Sequence, residues 1–301
     1  MKHAYLIVAH SDFEVLETSL KMLDYPDNDI FVHIDKKVEY VIKYKCKYSN
    51  LFMVPEDKRI DVRWADATII YAELALYRMA FETGDYDYFH LMSGMDLPIK
   101  SQKYIHDFFK ANKGKEFIGL MQNAWRTKTK VMYYHILMKN QRGASLEVKC
   151  CQRIHWIFTQ IQKCLPIVRS KKYMPTLYKG CTWCSLTHDA VEYILSYEPW
   201  IRNRFRWTFG ADEIYKHTLL FNSSFKNQMY SIKGEYEACL RLQDWQRGNP
   251  YVWTMADYDE IMRSDMLFAR KFSSKNFDVV TAISRKIIEE NKNYVQSLQT
   301  I

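Results

Sequence analysis

The chain begins with an apolar run, AYLIVAH (4–10), which is short for a helix and closes on a polar residue. Apolar positions at helical spacing follow from about Asp12 to Leu23. The turn YPDND then leads to a second apolar run, IFVHID, again with a polar end. Near-continuous apolar strands separated by a helix are the pattern of a βαβ unit whose sheet is covered on both faces. A second helical pattern, ADATIIYAELALYRMAFE, leads into YFHLMSGMDLPIK (88–100), a buried strand running into a turn that carries Asp96. The expectation is an α/β fold, Rossmann-like, with a mostly parallel sheet flanked by helices and ligands bound at the carboxyl ends of its strands. His10, Asp35 and Asp96 stand at three such ends. No repeat, low-complexity tract or linker divides the chain, which predicts a single domain over 1–301.

Composition narrows this picture. With 301 residues, 48% of them hydrophobic and 26% charged, the chain can bury a sizeable core, which excludes disorder. No apolar run approaches the ~20 residues of a spanning helix, and MKHAYLIVAH lacks the features of a signal peptide. A soluble, cytoplasmic protein is expected. Seven cysteines at irregular spacing exclude a secreted disulfide framework. Cys181 and Cys184 form a lone CxxC in GCTWCSLTHDA, whose alternation predicts a strand. No second ligand pair stands at zinc-site spacing, so buried thiols are expected.

The net charge of +8 is concentrated in one segment. From Arg126 to Lys172 there are eleven basic residues (Arg126, Lys128, Lys130, Lys139, Arg142, Lys149, Arg153, Lys163, Arg169, Lys171, Lys172) against one acid, Glu147. Within it Ile154, Ile157, Phe158, Ile161, Cys164, Leu165 and Val168 recur at helical spacing, and Pro166 should kink or end the helix. Two readings fit: a core helix with a solvated face, or docking on an anionic membrane or glycan. Nucleic acid is disfavoured, since no zinc finger, RNP-type aromatic pair or GxxG clamp accompanies the charge.

No GxGxxG or Walker sequence is present, and nine glycines disfavour a dinucleotide fold. The other large α/β class that binds nucleotides at strand ends, the nucleotide-sugar transferases, usually carries Asp-x-Asp after a strand. Asp85 and Asp87 match those letters, but they precede their strand and so belong to the opposite end of the sheet. Asp257 and Asp259 match the letters too. The expected metal position holds SGMD, with one carboxylate, which is poor provision for a hard cation. A metal-free site is expected.

AYLIVAH, VHIDKK, SGMDLPIK, KGCTWCSLTHDAVEYIL, ADEIY and LFARKF occur in an order that resembles the core-2/I-branching β-1,6-N-acetylglucosaminyltransferase family, which includes the peptide O-xylosyltransferases. The chain is similar to a short bacterial member without membrane anchor or stem. The resemblance implies a GT-A-type fold, a UDP-sugar donor, inversion at the anomeric carbon and no cofactor or metal. The implied organisation is a nucleotide-binding half (1–122), a basic helical insertion on the acceptor or membrane side (123–174) and an acceptor and catalytic half (175–301). GlcNAc is the expected donor sugar, with xylose or galactose as alternatives. The expected acceptor is a glycan or lipid-linked oligosaccharide.

Inverting transfer needs a base for the acceptor hydroxyl. The resemblance assigns it to Glu213; Asp212 beside it is a candidate helix cap and a candidate for the donor-sugar or acceptor side, and from residue type alone both acids could simply favour a helix N-terminus. Without a metal, Arg or Lys must meet the leaving diphosphate. Lys271 matches a family lysine; Arg270 and Arg247 are further candidates, and Arg241 competes with Arg247. Each of these cations could equally be a solvated surface charge. Asp96 would hydrogen-bond donor hydroxyls, orient a cation or cap its turn. Asp35 is placed for the uridine, His33 for packing, and His10 for the donor, although Ser11 stands where the family commonly has lysine. Trp183 and Trp245 are candidate sugar platforms or core aromatics.

Overall fold

The computed structural model describes residues 1–121, 127–138, 141–165, 167, 169 and 176–299. Its central sheet holds β1 (His3–Ala9), β2 (Asn28–Ile34), β3 (Asn50–Met53), β4 (Tyr88–Ser93) and β6 (Ser185–Thr187), in the order β3-β2-β1-β4-β6. All neighbours are parallel except β6, which runs antiparallel to β4. The apolar runs at β1 and β2 are continuous because both faces are covered. Ala4, Leu6 and Val8 pack with the helix Thr68–Thr83, and Tyr5, Ile7 and Ala9 pack with the helix Phe13–Leu23. Alternate side chains of one strand thus enter two cores.

A second sheet, absent from the sequence reading, joins β5 (Asp96–Pro98), β8 (Phe268–Arg270) and β7 (Arg241–Gln243). The long helix Phe277–Gln299 backs it through Val279, Val280, Ile283 and Ile287, which meet Leu97, Ala269 and Trp253. The strand expected over GCTWCSLTHDA is only the three residues of β6. Gly180 is drawn off by a bond from its N–H to the Glu213 carbonyl (2.9 Å), so Trp183 lies on a connection before the strand rather than within it. Cys181 and Cys184 are buried free thiols with different neighbours, Gln243 and Tyr77. Asp87 accepts from the Lys2 N–H at the start of β4, the opposite end of the sheet from Asp96.

Chain order runs outward from β1 to β3, then returns to add β4 on the other flank of β1. This reversal opens a crevice between the carboxyl ends of β1 and β4, the usual ligand position in such sheets. At the other end His3 and His90 are buried and the half-buried helix residue His106 packs on them; His3 and His106 stack at 4.0 Å, and His3 Nδ1 lies 3.1 Å from His90 Nε2. Burial, with cationic neighbours adding to it, holds His3 and His90 well below the ordinary imidazole range and His106 at about 4. The folded chain keeps these rings neutral while the unfolded chain takes up protons near pH 6.5. Stability should therefore decline as pH falls below about 6.5, by roughly 1.4 kcal/mol per pH unit for each ring. Thermal unfolding at pH 7, 6 and 5 checks this, with His106→Gln expected to flatten the slope; a midpoint indifferent to pH would refute it.

Candidate active site

The loop after β1 carries His10, exposed, and Asp12, whose backbone is left-handed (φ 50°). Asp12 Oδ1 accepts from Ser273 Oγ and the Ser274 N–H, both at 2.8 Å. This clamp ties the β1 loop to the segment after β8, and so brings His10 near Arg270 and Lys271. Although the ring reaches solvent, the protein around it partly desolvates His10 and lowers its pKa, opposed by Asp35 and reinforced by Lys271 and Arg270. Asp35, buried after β2, accepts from the Lys37 N–H (2.9 Å) and the Lys37 ammonium (2.8 Å). His33 is a packed strand residue, as expected, and its Nε2 accepts from the Ile60 N–H at 2.8 Å.

Asp96 is buried and fully engaged. One oxygen accepts from the Ser93 N–H (2.7 Å); the other accepts from Ser93 Oγ (2.7 Å) and pairs with Arg270 (2.8 Å). Of the three roles weighed for it, the carboxylate performs two here: it closes its own turn and orients a cation. Arg270 also donates to Ser93 Oγ and lies over the Trp183 ring at 4.8 Å, a cation–π stack. Among the described residues no carboxylate lies within ion-pair distance of the Lys271 ammonium. Burial and the Arg270 charge lower its pKa. An anion entering the crevice would relieve both terms.

Two arginines have other partners. Arg241, the competitor, is buried and donates to the carbonyls of Cys239 and Cys184 and to Ser185 Oγ, so it supports the core beneath the crevice. Arg247 pairs with Asp244, with Asp257 (2.9 Å) and with Glu260 (2.9 Å). Three carboxylates already take up its charge, which leaves it poor provision for a diphosphate. Trp245 is exposed on the same loop.

Glu213 ends the 3-10 turn Ala211–Glu213, after Gly210 in the left-handed region (φ 61°). Its carboxylate meets Lys179 at 3.0 Å and Lys130 at 3.6 Å. Burial lowers the pKa of Lys130, with Glu213 opposing the shift. Asp212 is not the expected cap: it turns inward and accepts from Thr182 Oγ1 at 2.7 Å, and burial together with the Glu213 charge raises its pKa. Thr182 adjoins Trp183, so the Arg270 stack and the Asp212–Glu213 turn share one short connection. Glu235 stands nearby, pushed up to about 7 by burial, against the pull of Lys179. Close backbone packing sets this proximity: a Cβ at Gly119 would sit 1.7 Å from the Glu235 carbonyl oxygen, and one at Gly180 1.9 Å from that of Gly119. Below the turn, the Lys216 ammonium and Tyr215 hydroxyl both reach Glu73 in the core.

Beside the turn is a cavity of 490 Å³, lined by Asp66, Tyr71, His135, Met138, Arg206 and Trp207 among others. Its rim at Asp66 adjoins Ala65, whose carbonyl accepts from the Gly210 N–H at 2.7 Å. Sequence reasoning missed Asp12, Ser93, Lys130, Lys179, Thr182 and Glu235 as site residues; Lys130 had stood out as part of the basic excess, and Ser93, Lys179 and Thr182 only as letters of quoted motifs. No group of three or more His, Cys, Asp or Glu among the described residues is arranged to hold a metal ion.

The profile of the core-2/I-branching enzymes matches residues 3–266. The chain belongs to this family. Over 296 residues it is 25% identical to a beta-glucuronosyltransferase of Arabidopsis thaliana, covering 89% of this chain and 62% of that one. It is 22% identical to xylosyltransferase 2 of Rattus norvegicus and of Homo sapiens, covering 90% of this chain and 32% of each. The chain thus spans less than two thirds of these relatives. As a core-2/I-branching family member it has a GT-A-like fold, in which a mostly parallel sheet and its helices form the single α/β domain described above.

Proposed function

We propose that the chain is an inverting glycosyltransferase that moves a sugar from a UDP-sugar to a hydroxyl of a glycan or lipid-linked oligosaccharide, forming a β-linkage without a metal. The observation that carries this reading is the short connection between cations and carboxylate: Arg270, next to Lys271, stacks on Trp183, and the adjoining Thr182 donates to Asp212, the neighbour of Glu213. In the proposed step Glu213 takes the proton of the acceptor hydroxyl as its oxygen bonds to the anomeric carbon. The bond from that carbon to the diphosphate breaks on the opposite face, and the leaving charge meets Lys271 and Arg270. Asp96 keeps Arg270 aimed, and Asp35 and His10 line the nucleotide side. The cavity, with Trp207, Tyr71 and polar groups, suits an acceptor glycan.

GlcNAc is the first donor on this reading, with a β-1,6 linkage, as the motif resemblance implies. Relatives named for xylosyl and glucuronosyl transfer favour a second donor reading, xylose or glucuronic acid. Calorimetric titration with UDP, in EDTA and again with Mn²⁺, tests the nucleotide pole. Selective UDP binding indifferent to the chelator is expected, and binding only with Mn²⁺ would overturn metal independence. Lys271→Ala should weaken UDP binding by about 10- to 100-fold, the worth of one charge-assisted contact. Unchanged affinity would remove Lys271 from the site.

A further inference from the structure

The helix Leu146–Cys164 turns its apolar side away from the protein. Val148, Cys151, His155, Phe158 and Gln162, at three- and four-residue spacing, form its inner face. Gln162 is buried and donates to the Tyr134 carbonyl (2.9 Å), and His155 Nδ1 donates to that of Ile136 (2.8 Å). On the adjoining face Leu146, Ile154, Ile157, Ile161 and Leu165 are 44% to 79% exposed. At helical geometry they fall in one stripe about 100° wide. The core-helix reading therefore fails for the described residues: the apolar positions expected to be buried are largely the ones in solvent. Pro166 and Val168 lie outside the described residues, as do Arg126, Lys139, Lys171 and Lys172.

One border of the stripe is basic. Lys149, Arg153 and Lys163 stand along it with Trp156, whose ring lies 5.8 Å from the Arg153 guanidinium. Glu147 is the sole acid between residues 127 and 165. An isolated apolar stripe could meet any apolar partner, but one edged by cations and a tryptophan matches an anionic lipid surface. We infer that this helix lies in the interface of an anionic bilayer, with the isoleucines toward the acyl chains and the basic border among the phosphates. The helix also adjoins the cavity: His155 Nε2 is 3.3 Å from Nδ1 of His135, which lines it. Docking would present a membrane-borne acceptor to the cavity, a consequence that rests on the transfer reading, as membrane docking itself does not.

Sedimentation with vesicles of phosphatidylglycerol and phosphatidylcholine, against pure phosphatidylcholine, tests the inference. The chain should sediment with the anionic vesicles at low salt and be released as salt rises. Ile157→Asp with Ile161→Asp, and separately Lys149→Glu with Arg153→Glu, should weaken binding about tenfold or more, with UDP affinity and thermal midpoint unchanged. Absent binding, or equal binding to neutral vesicles, would overturn it. So would a dimer in light scattering that Ile157→Asp dissolves, since the stripe would then belong to a second copy. UDP titration of the same variants keeps failure here separate from failure of the transferase reading.

Discussion

Replacing Glu213 with Gln is expected to lower sugar transfer by about 10²- to 10⁴-fold, the range for a lost general base, while UDP affinity stays within a factor of about two. The amide keeps the shape of the side chain and its place beside Lys179, but has no basic oxygen for the acceptor proton. The cations at 3.0 and 3.6 Å make the test demanding. If Glu213 served only as their counter-ion, Gln would leave transfer nearly intact and lower the thermal midpoint instead. Steady-state kinetics beside a melting curve separates the two results. Near-normal transfer by a folded Glu213→Gln variant would move the base elsewhere, with Glu235 next in line because burial brings it to about 7.

The largest effect on stability is expected beneath the site. Lys216→Met should destabilise the fold by about 3–5 kcal/mol, the cost of breaking a buried pair from one side. That corresponds to a fall in Tm of roughly 10 °C. Lys216 and Glu73 are both without solvent exposure, and one Glu73 oxygen already lacks a partner. Burial pushes Glu73 up to about 7, with Lys216 opposing. Without the ammonium, Glu73 must take a proton to stay buried. The deficit should therefore be smaller at pH 6 and larger at pH 8, where holding that proton costs more. Glu73→Gln combined with Lys216→Met should recover much of the loss, since the orphaned charge is gone. Denaturant unfolding at the two pH values checks both points, and a deficit independent of pH would show that removing the ammonium does not change the proton held by Glu73.

The first half of the fold was legible in the sequence because β1, β2 and β4 are long enough to carry an apolar signal and end on residues with chemistry. The crevice followed from them: His10, Asp35 and Asp96 do stand at the carboxyl ends of parallel strands. The second sheet was not legible, since strands of three residues carry no period and their pairing is set by partners far along the chain. Direction was equally hidden. Periodicity found the stripe of Ile154, Ile157 and Ile161 but could not say that it faces outward, because a helical repeat has the same spectrum either way. Among the cations, residue type could not separate Arg241, Arg247 and Lys271; the first is buried in the core, three carboxylates pair with the second, and the third, half-buried, has no carboxylate within ion-pair distance among the described residues. Glu213 came from resemblance to a family, and spacing alone would have left it a residue at a helix start.

The pairing of Asp96 with Arg270 closes a loop of 174 residues. Contacts of that span form late, because loop closure costs entropy before they give anything back. The crevice between β1 and β4 should thus be among the last regions to take shape during folding, after the β1–β2–β4 layer. A nucleotide that binds only the finished crevice would report on complete molecules, stabilise them by mass action and leave a half-assembled chain untouched.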